Sequence, residues 1–264
     1  KYGVPRKGPV RCMVPDEHYD WADDRAPAVP YEDTVLYALH VRGFTKHRSS
    51  GVVHKGTYAG IIEKIPYLKG LGITSILLMP AYEFDEIQVQ DNIQTLLTME
   101  QAAASYRQTA KRPTGGDETA PASAKRELPY KINYWGYRRG MYYSPKGSYA
   151  YSQDAVGEFK DMVKALHREG IEILMQFYFP TEVAPAEMLD VLKYWKVEYH
   201  IDGFHVMGVD LPIGMFAVEP LLSDTKLLTV QQYSPVSVGK PASSRSIGWL
   251  SEGFQYDMRR LLKG

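Results

Sequence analysis

Twice in this chain a helically spaced apolar stripe runs into a glycine and then directly into a nearly continuous apolar segment that a proline closes. In the first copy Ile61, Ile62, Ile65, Leu68 and Leu71 recur from Ala59 to Leu71, Gly72 follows, and Ile73 to Met79 runs on to Pro80. In the second, Val156, Phe159, Val163 and Leu166 form the stripe behind a capping Asp154, Gly170 follows, and Ile171 to Phe179 runs on to Pro180. Glycine accepts the positive φ of a helix C-terminus. A segment apolar on both faces suits a strand covered on both sides, and proline ends it for want of an N–H. Helix and strand therefore alternate, which implies parallel strands joined by right-handed helical crossovers. The remaining segments continue the pattern. Thr34 to Val41 is the expected first strand, and Met188, Leu189, Leu192, Trp195 and Tyr199 mark a helix leading to a fourth strand at His200 to Val206. A fifth strand is expected at Lys226 to Val230, and a last helix at Phe254, Met258, Leu261 and Leu262 with Ser251 as its cap. A (β/α) barrel and an open doubly wound sheet both fit, and periodicity does not choose between them.

Residues 1–30, with proline at 5, 9, 15, 27 and 30 and no periodicity, read as an irregular lead-in or linker. Residues 31–264 read as the barrel-type domain, and 87–130 as an insertion rich in Gln, Ala, Thr, Lys and Glu, expected to be mobile at its centre. With 264 residues the chain can build a core without a disulfide or metal staple. Its 31 basic and 31 acidic residues cancel, which removes the field that would draw it to nucleic acid or to an anionic membrane. The lone cysteine, Cys12, cannot form an internal disulfide, and no run of about 18 apolar residues is present to span a bilayer. Lys1 to Pro9 lacks the apolar segment of a secretory signal, so the cytoplasm is the default expectation, although a mature exported chain reads the same way. His40, His47, His54, His200 and His205 show no zinc spacing, so neither metal nor cofactor is expected. The 20 tyrosines suit sugars and peptides, and equally ordinary packing.

Several segments resemble the α-amylase superfamily of glycoside hydrolases (family 13), the isoamylase, glycogen-debranching and pullulanase-like group above all. Tyr37-Ala-Leu-His-Val-Arg-Gly-Phe-Thr45 is similar to that group's first barrel strand, and Gly56-Thr-Tyr-Ala-Gly60 through Met79-Pro80 to its first helix and second strand. Asn133-Tyr-Trp-Gly-Tyr137 and Tyr143-Ser-Pro145 resemble the loop that follows. Tyr194-Trp195 and Asp202-Gly-Phe204 resemble the approach to strand four, and Trp249 through Arg260 the helical region beyond strand five. The matches keep their order from about residue 20 to 264, apart from the 87–130 insertion. The resemblance implies a (β/α)8 TIM-barrel, incomplete here. About five strands are identifiable, strands six to eight have no counterpart before Gly264, and the group's N-terminal β-sandwich is absent, as in an excised piece or a natural truncation.

It also implies where chemistry would sit, at the C-terminal ends of the strands. Retaining glycoside hydrolysis needs two carboxyl groups about 5 Å apart. The strand-four motif Asp-Gly-Phe-Arg-x-Asp stands here as Asp202-Gly203-Phe204-His205-Val206-Met207, so Met207 occupies the nucleophile position and His205 that of the guanidinium. At strand five the general-acid position is Val230, or Gln231 or Gln232 if the register slides. At strand three the motif Asp-x-x-x-Asn-His reads Gln176-Phe177-Tyr178-Phe179-Pro180-Thr181, which replaces the acid by Gln176 and the sugar-holding histidine by Thr181. A thioether, an isopropyl group and an amide supply neither a nucleophile nor a proton donor. The expected role is therefore a domain of bacterial glycogen or starch metabolism that has lost hydrolysis and binds α-glucan through Trp135, Tyr137 and Tyr143. Packing beneath a loop is the alternative for Trp135. Two further readings remain: a structural or regulatory subunit of an active debranching enzyme, and an active α-1,6-glucosidase with relocated carboxylates at Asp210 and Glu182. Solvation or capping is the plainer role for those two residues; Glu83-Phe-Asp-Glu86 resembles the family's loop after strand two, with simple solvation as its plainer role, and Asp202 is expected to tie strand to loop.

Overall fold

The computed structural model describes residues 18–89, 103–104, 130–230 and 247–263. They fall into two compact units, a larger one from residues 15–83 and 137–264 and a smaller one that includes 84–136. In the smaller unit, β4 (Ile87–Val89) and β5 (Tyr130–Ile132) pair antiparallel. The expected mobile centre of the insertion lies outside the described residues.

The larger unit is organised by a six-stranded parallel sheet. Its strands are β1 (Leu36–Leu39), β2 (Ser75–Leu78), β7 (Glu172–Phe179), β8 (Gly203–Gly208), β9 (Lys226–Thr229) and β10 (Ile247–Trp249). A short antiparallel pair, β3 (Tyr82–Glu83) with β6 (Met141–Pro145), follows β2. The order across the sheet is β1-β2-β7-β8-β9-β10, each strand beside the one that precedes it in the sheet's chain order. A doubly wound sheet reverses at a switch point. No reversal occurs among the described residues, so the winding is that of a (β/α) barrel, of which they supply six strands.

Alternation along the strands separates two faces. Leu77, Leu174 and Leu228 form one buried cluster, with Tyr31, Leu36 and Leu250 packed against it. The opposite face of β7 carries Ile173, Met175, Phe177 and Phe179, all buried and directed toward the helices. The Phe177 ring lies 5.7 Å from Trp195, which is 5.3 Å from Phe159. Gly203 sits on the first face, where a Cβ would come 2.7 Å from both Leu174 Cγ and the Lys226 carbonyl. Only a residue without a side chain fits that layer.

Helix α4 (Ala155–Arg168) starts as the sequence predicts, with Asp154 Oδ1 accepting from the Gly157 amide at 2.9 Å, and Gly170 behind it has φ +72°. Helix α5 (Pro185–Glu198) opens on a proline in its first turn, where a missing N–H costs nothing.

Four expectations are corrected. The first stripe forms two helices, α2 (Tyr58–Ile62) and α3 (Ile65–Gly70), instead of one, because Pro66 cannot donate to a continuing ladder and begins a new turn. Strand four runs from Gly203, not His200, because His200 has φ +52° and the Ile201 amide donates back to the Trp195 carbonyl. Met207 therefore lies within the strand. Tyr143 to Pro145, expected as loop, belongs to β6. Trp249, expected in a helical region, ends a sixth strand, β10, whose three residues with a central glycine are too short to show a period of two. The helix that follows, α7 (Glu252–Lys263), leaves Phe254, Leu261 and Leu262 exposed.

Residues 18–30 carry no helix or strand, yet they are bonded to the sheet and α4. The Val29 amide donates to Glu172 Oε1 at 2.9 Å; the same carboxylate accepts from Ser75 Oγ at 2.7 Å and pairs with Lys226 Nζ. Asp24 and Asp202 flank His167, whose Nδ1 and Nε2 lie 3.1 and 2.9 Å from their oxygens. Trp21 stacks on His200 at 3.8 Å.

Candidate functional site

The C-terminal ends of the parallel strands are where a barrel of this winding presents its chemistry. Register decides what meets there. Gln176 on β7 is the partner of His205 on β8, and Tyr178 that of Met207. His205 is in turn level with Leu228 on β9, the last pair in that register. The two positions that the resemblance assigns to nucleophile and acid thus fall at the end of β8 and just past β9, and they present a half-buried thioether and an exposed isopropyl group. Gln231 and Gln232 lie outside the described residues.

One layer below them a polar chain crosses the sheet. The Tyr137 hydroxyl donates to Gln176 Oε1 at 2.6 Å, and Gln176 Nε2 lies 3.1 Å from His205 Nδ1. Gln176 and His205 are 7% and 5% exposed. Burial raises the Tyr137 hydroxyl above its ordinary range and pushes His205 down to about 4, so at neutral pH the chain carries no formal charge. His205 Nε2 is buried without a hydrogen-bond partner among the described residues.

The other named residues are dispersed. Thr181 and Glu182 are exposed in the turn after β7, and Asp210 is exposed in the bend after β8 with φ +53°. Tyr143 projects from β6, 45% exposed, with its ring 5.2 Å from Tyr194 in an edge-on contact. Trp135 belongs to the smaller unit, half-exposed, its ring 5.1 Å from Tyr134. Glu83 does not fit the expectation of simple solvation: it pairs with the buried Lys146 at 2.5 Å and accepts from the Gly147 amide at 2.8 Å. Glu86 is also buried. Asp202 accepts from the Ile173 amide at 2.8 Å as well as facing His167, and so joins β7, α4 and the start of β8.

His167 went unread in the sequence, since nothing in its spacing marks it. The link between Tyr137, Gln176 and His205 was likewise invisible, because it depends on a pairing between strands nearly thirty residues apart, and only the register supplies that.

Comparison with known proteins agrees with this architecture. Residues 39–180 match the family model described as alpha amylase, catalytic domain. Among curated proteins the chain is 31% identical over 247 residues to isoamylase 1, chloroplastic, of Arabidopsis thaliana, a match that takes in 74% of this chain and 28% of that protein. It is 33% identical over 171 residues to a glycogen debranching enzyme of Dickeya chrysanthemi, covering 63% of this chain and 20% of the other. Among solved structures, a pullulanase from Paenibacillus barengoltzii in complex with maltohexaose and alpha-cyclodextrin superposes with TM-score 0.56 at 19% identity, over 88% of this chain and 42% of that one. The chain thus spans about a quarter of the length of the curated relatives it matches. No helix among the described residues is long and apolar enough to cross a membrane.

Proposed function

The chain belongs to the alpha-amylase catalytic-domain family, and from that premise we propose that it is an isoamylase-like domain of glycogen or starch metabolism that binds α-glucan at its strand ends without cleaving it. The observation that carries the reading is the pair of side chains at these positions: Met207 stands near the end of β8 and Val230 directly follows β9, and neither can attack an anomeric carbon or protonate a leaving oxygen. Gln176 and His205 fill the layer beneath with a neutral hydrogen-bonded pair. Binding is a task such a surface retains, since Tyr143 offers an exposed ring face and Tyr137 a hydroxyl anchored at the strand ends. The maltohexaose in the pullulanase neighbour supports the choice of glucan.

The test has two arms. Calorimetry with maltohexaose is expected to give binding that weakens when Tyr143 is replaced by Ala. Incubation with pullulan or glycogen is expected to release no reducing ends. Release that is lost in Asp210→Asn or Glu182→Gln would instead establish an active α-1,6-glucosidase with displaced acids. Binding that is undetectable at millimolar maltohexaose ends the glucan reading.

A second reading, a structural or regulatory subunit of an active debranching enzyme, is favoured by α7, which leaves Phe254, Leu261 and Leu262 more than two-thirds uncovered. An apolar surface of this kind commonly marks a contact with another chain. Light scattering coupled to size exclusion distinguishes it: a monomer that forms no complex with an active isoamylase argues against a subunit role.

A further inference from the structure

The polar chain beneath Met207 has a direction. Tyr137 donates its hydroxyl hydrogen to Gln176 Oε1, and the amide Nε2 of Gln176, which has only hydrogens to offer, donates to His205 Nδ1. Nδ1 is thereby the accepting nitrogen of the ring, and the imidazole proton is carried by Nε2. That N–H is buried and meets no acceptor among the described residues. An unpaired buried donor is costly, and an incoming acceptor removes the cost. Burial holds the ring neutral down to about pH 4, so the donor keeps one form across the physiological range. Above it on the same face of β8 stands Met207, two residues nearer the strand end and only partly buried. Its unbranched thioether has enough torsional freedom to swing aside.

We propose that the Tyr137–Gln176–His205 chain holds His205 as a fixed, uncharged Nε2–H donor that selects a neutral oxygen acceptor, a hydroxyl or ether oxygen of an unmodified sugar, over an anionic one. The proposal rests on the glucan-binding reading above and names the residue that makes its polar contact. A cationic donor would favour phosphate or carboxylate. A neutral imidazole brings no positive charge to offset the desolvation of an anion in this buried layer, so the acceptor that can enter at low cost is an uncharged hydroxyl or ether oxygen.

Nitrogen-15 NMR of the full chain tests this directly. The resonances of His205 are expected to report a proton on Nε2 between pH 6 and 8, and Gln176→Leu is expected to abolish that preference. Maltohexaose is expected to shift the Nε2 signal, and inorganic phosphate to leave it unmoved. By calorimetry, His205→Leu is expected to weaken maltohexaose binding about tenfold, the ordinary worth of one hydrogen bond. His205→Gln places an amide donor at similar reach and is expected to recover most of it. A proton found on Nδ1, a shift with phosphate in place of maltohexaose, or maltohexaose binding with His205 unmoved overturns the proposal. The last of these leaves the glucan reading standing, whereas absence of any maltohexaose binding removes both. The tautomer and titration measurements use the unaltered protein, so poor folding of a variant does not shield the proposal.

Discussion

His167 and His205 are both buried histidines, and their surroundings drive them in opposite directions. Burial alone would push His167 down, but the hydrogen bonds and charges of Asp202 and Asp24 outweigh it and favour the imidazolium, whose two N–H groups match the two carboxylates. A folded-state value above the ordinary 6.5 means that the stabilisation is complete below that pH and drains away as pH rises through the raised value. Thermal midpoints of the wild type measured from pH 6 to 9 are expected to fall more steeply than those of His167→Gln; parallel curves would refute this. His205 has no carboxylate partner, and its value falls to about 4. The unfolded chain then binds the proton more readily. The contribution of His205 is complete above about pH 6.5 and declines toward pH 4 by about 1.4 kcal/mol per pH unit. His205→Gln is expected to remove that acid-side decline in urea titrations at pH 4 to 7, and an unchanged slope would count against a neutral buried ring. Of these two residues the sequence singled out only His205, through the Asp202-Gly-Phe motif. A histidine in the last turn of an amphipathic helix carries no local sign that two carboxylates, 143 and 35 residues away, close on it.

Among elements, glycines separate demands of backbone from demands of space. At Gly170 φ is +72° and nothing lies near a prospective Cβ, so Gly170→Ala meets only the conformational penalty of about 1 kcal/mol. At Gly203 the backbone imposes no such constraint, but a methyl group would press on Leu174 and Lys226 across two strands. Gly203→Ala is expected to destabilise by about 1–3 kcal/mol through overpacking. Chemical denaturation ranks the pair, and a smaller loss at 203 than at 170 would contradict the layer described for the strands. Helix and strand identities were legible because their periods are long and their caps local, as Asp154 and Gly170 illustrate. The boundaries at His200 and Pro66 were less so. A positive φ at His200 is enforced by contacts to α5 that no run of letters displays, and Pro66 was submerged in a convincing apolar stripe. The strand at Ile247 escaped for a simpler reason: with a glycine at its centre, its identity comes from pairing to β9.

On the scale of the whole molecule, residues 18–30 of the irregular first segment behave as part of the fold. Removing residues 1–30 takes away the Val29 donor to Glu172 and the Asp24 partner of His167, leaving two buried ionisable groups short of a contact. Loss of one partner of a buried charged pair costs about 3–5 kcal/mol, so the shortened chain is expected to unfold at markedly lower urea. A midpoint equal to that of the intact chain would reduce the segment to a tether. Family membership was legible at this scale from the ordered motifs alone. Periodicity by itself left the winding open, because helix and strand alternate identically in a barrel and in an open sheet; the family resemblance implied the barrel, and the monotonic order of the six strands bears it out. The strands also distribute charge unevenly along their length. Carboxylate and ammonium groups lock the entry end, where Glu172 and Lys226 meet, and amide, phenol and neutral imidazole line the exit. Burial keeps the His205 ring neutral down to about pH 4 and the Tyr137 hydroxyl protonated past its ordinary range, so affinity for a neutral ligand should hold nearly level with pH between those two limits.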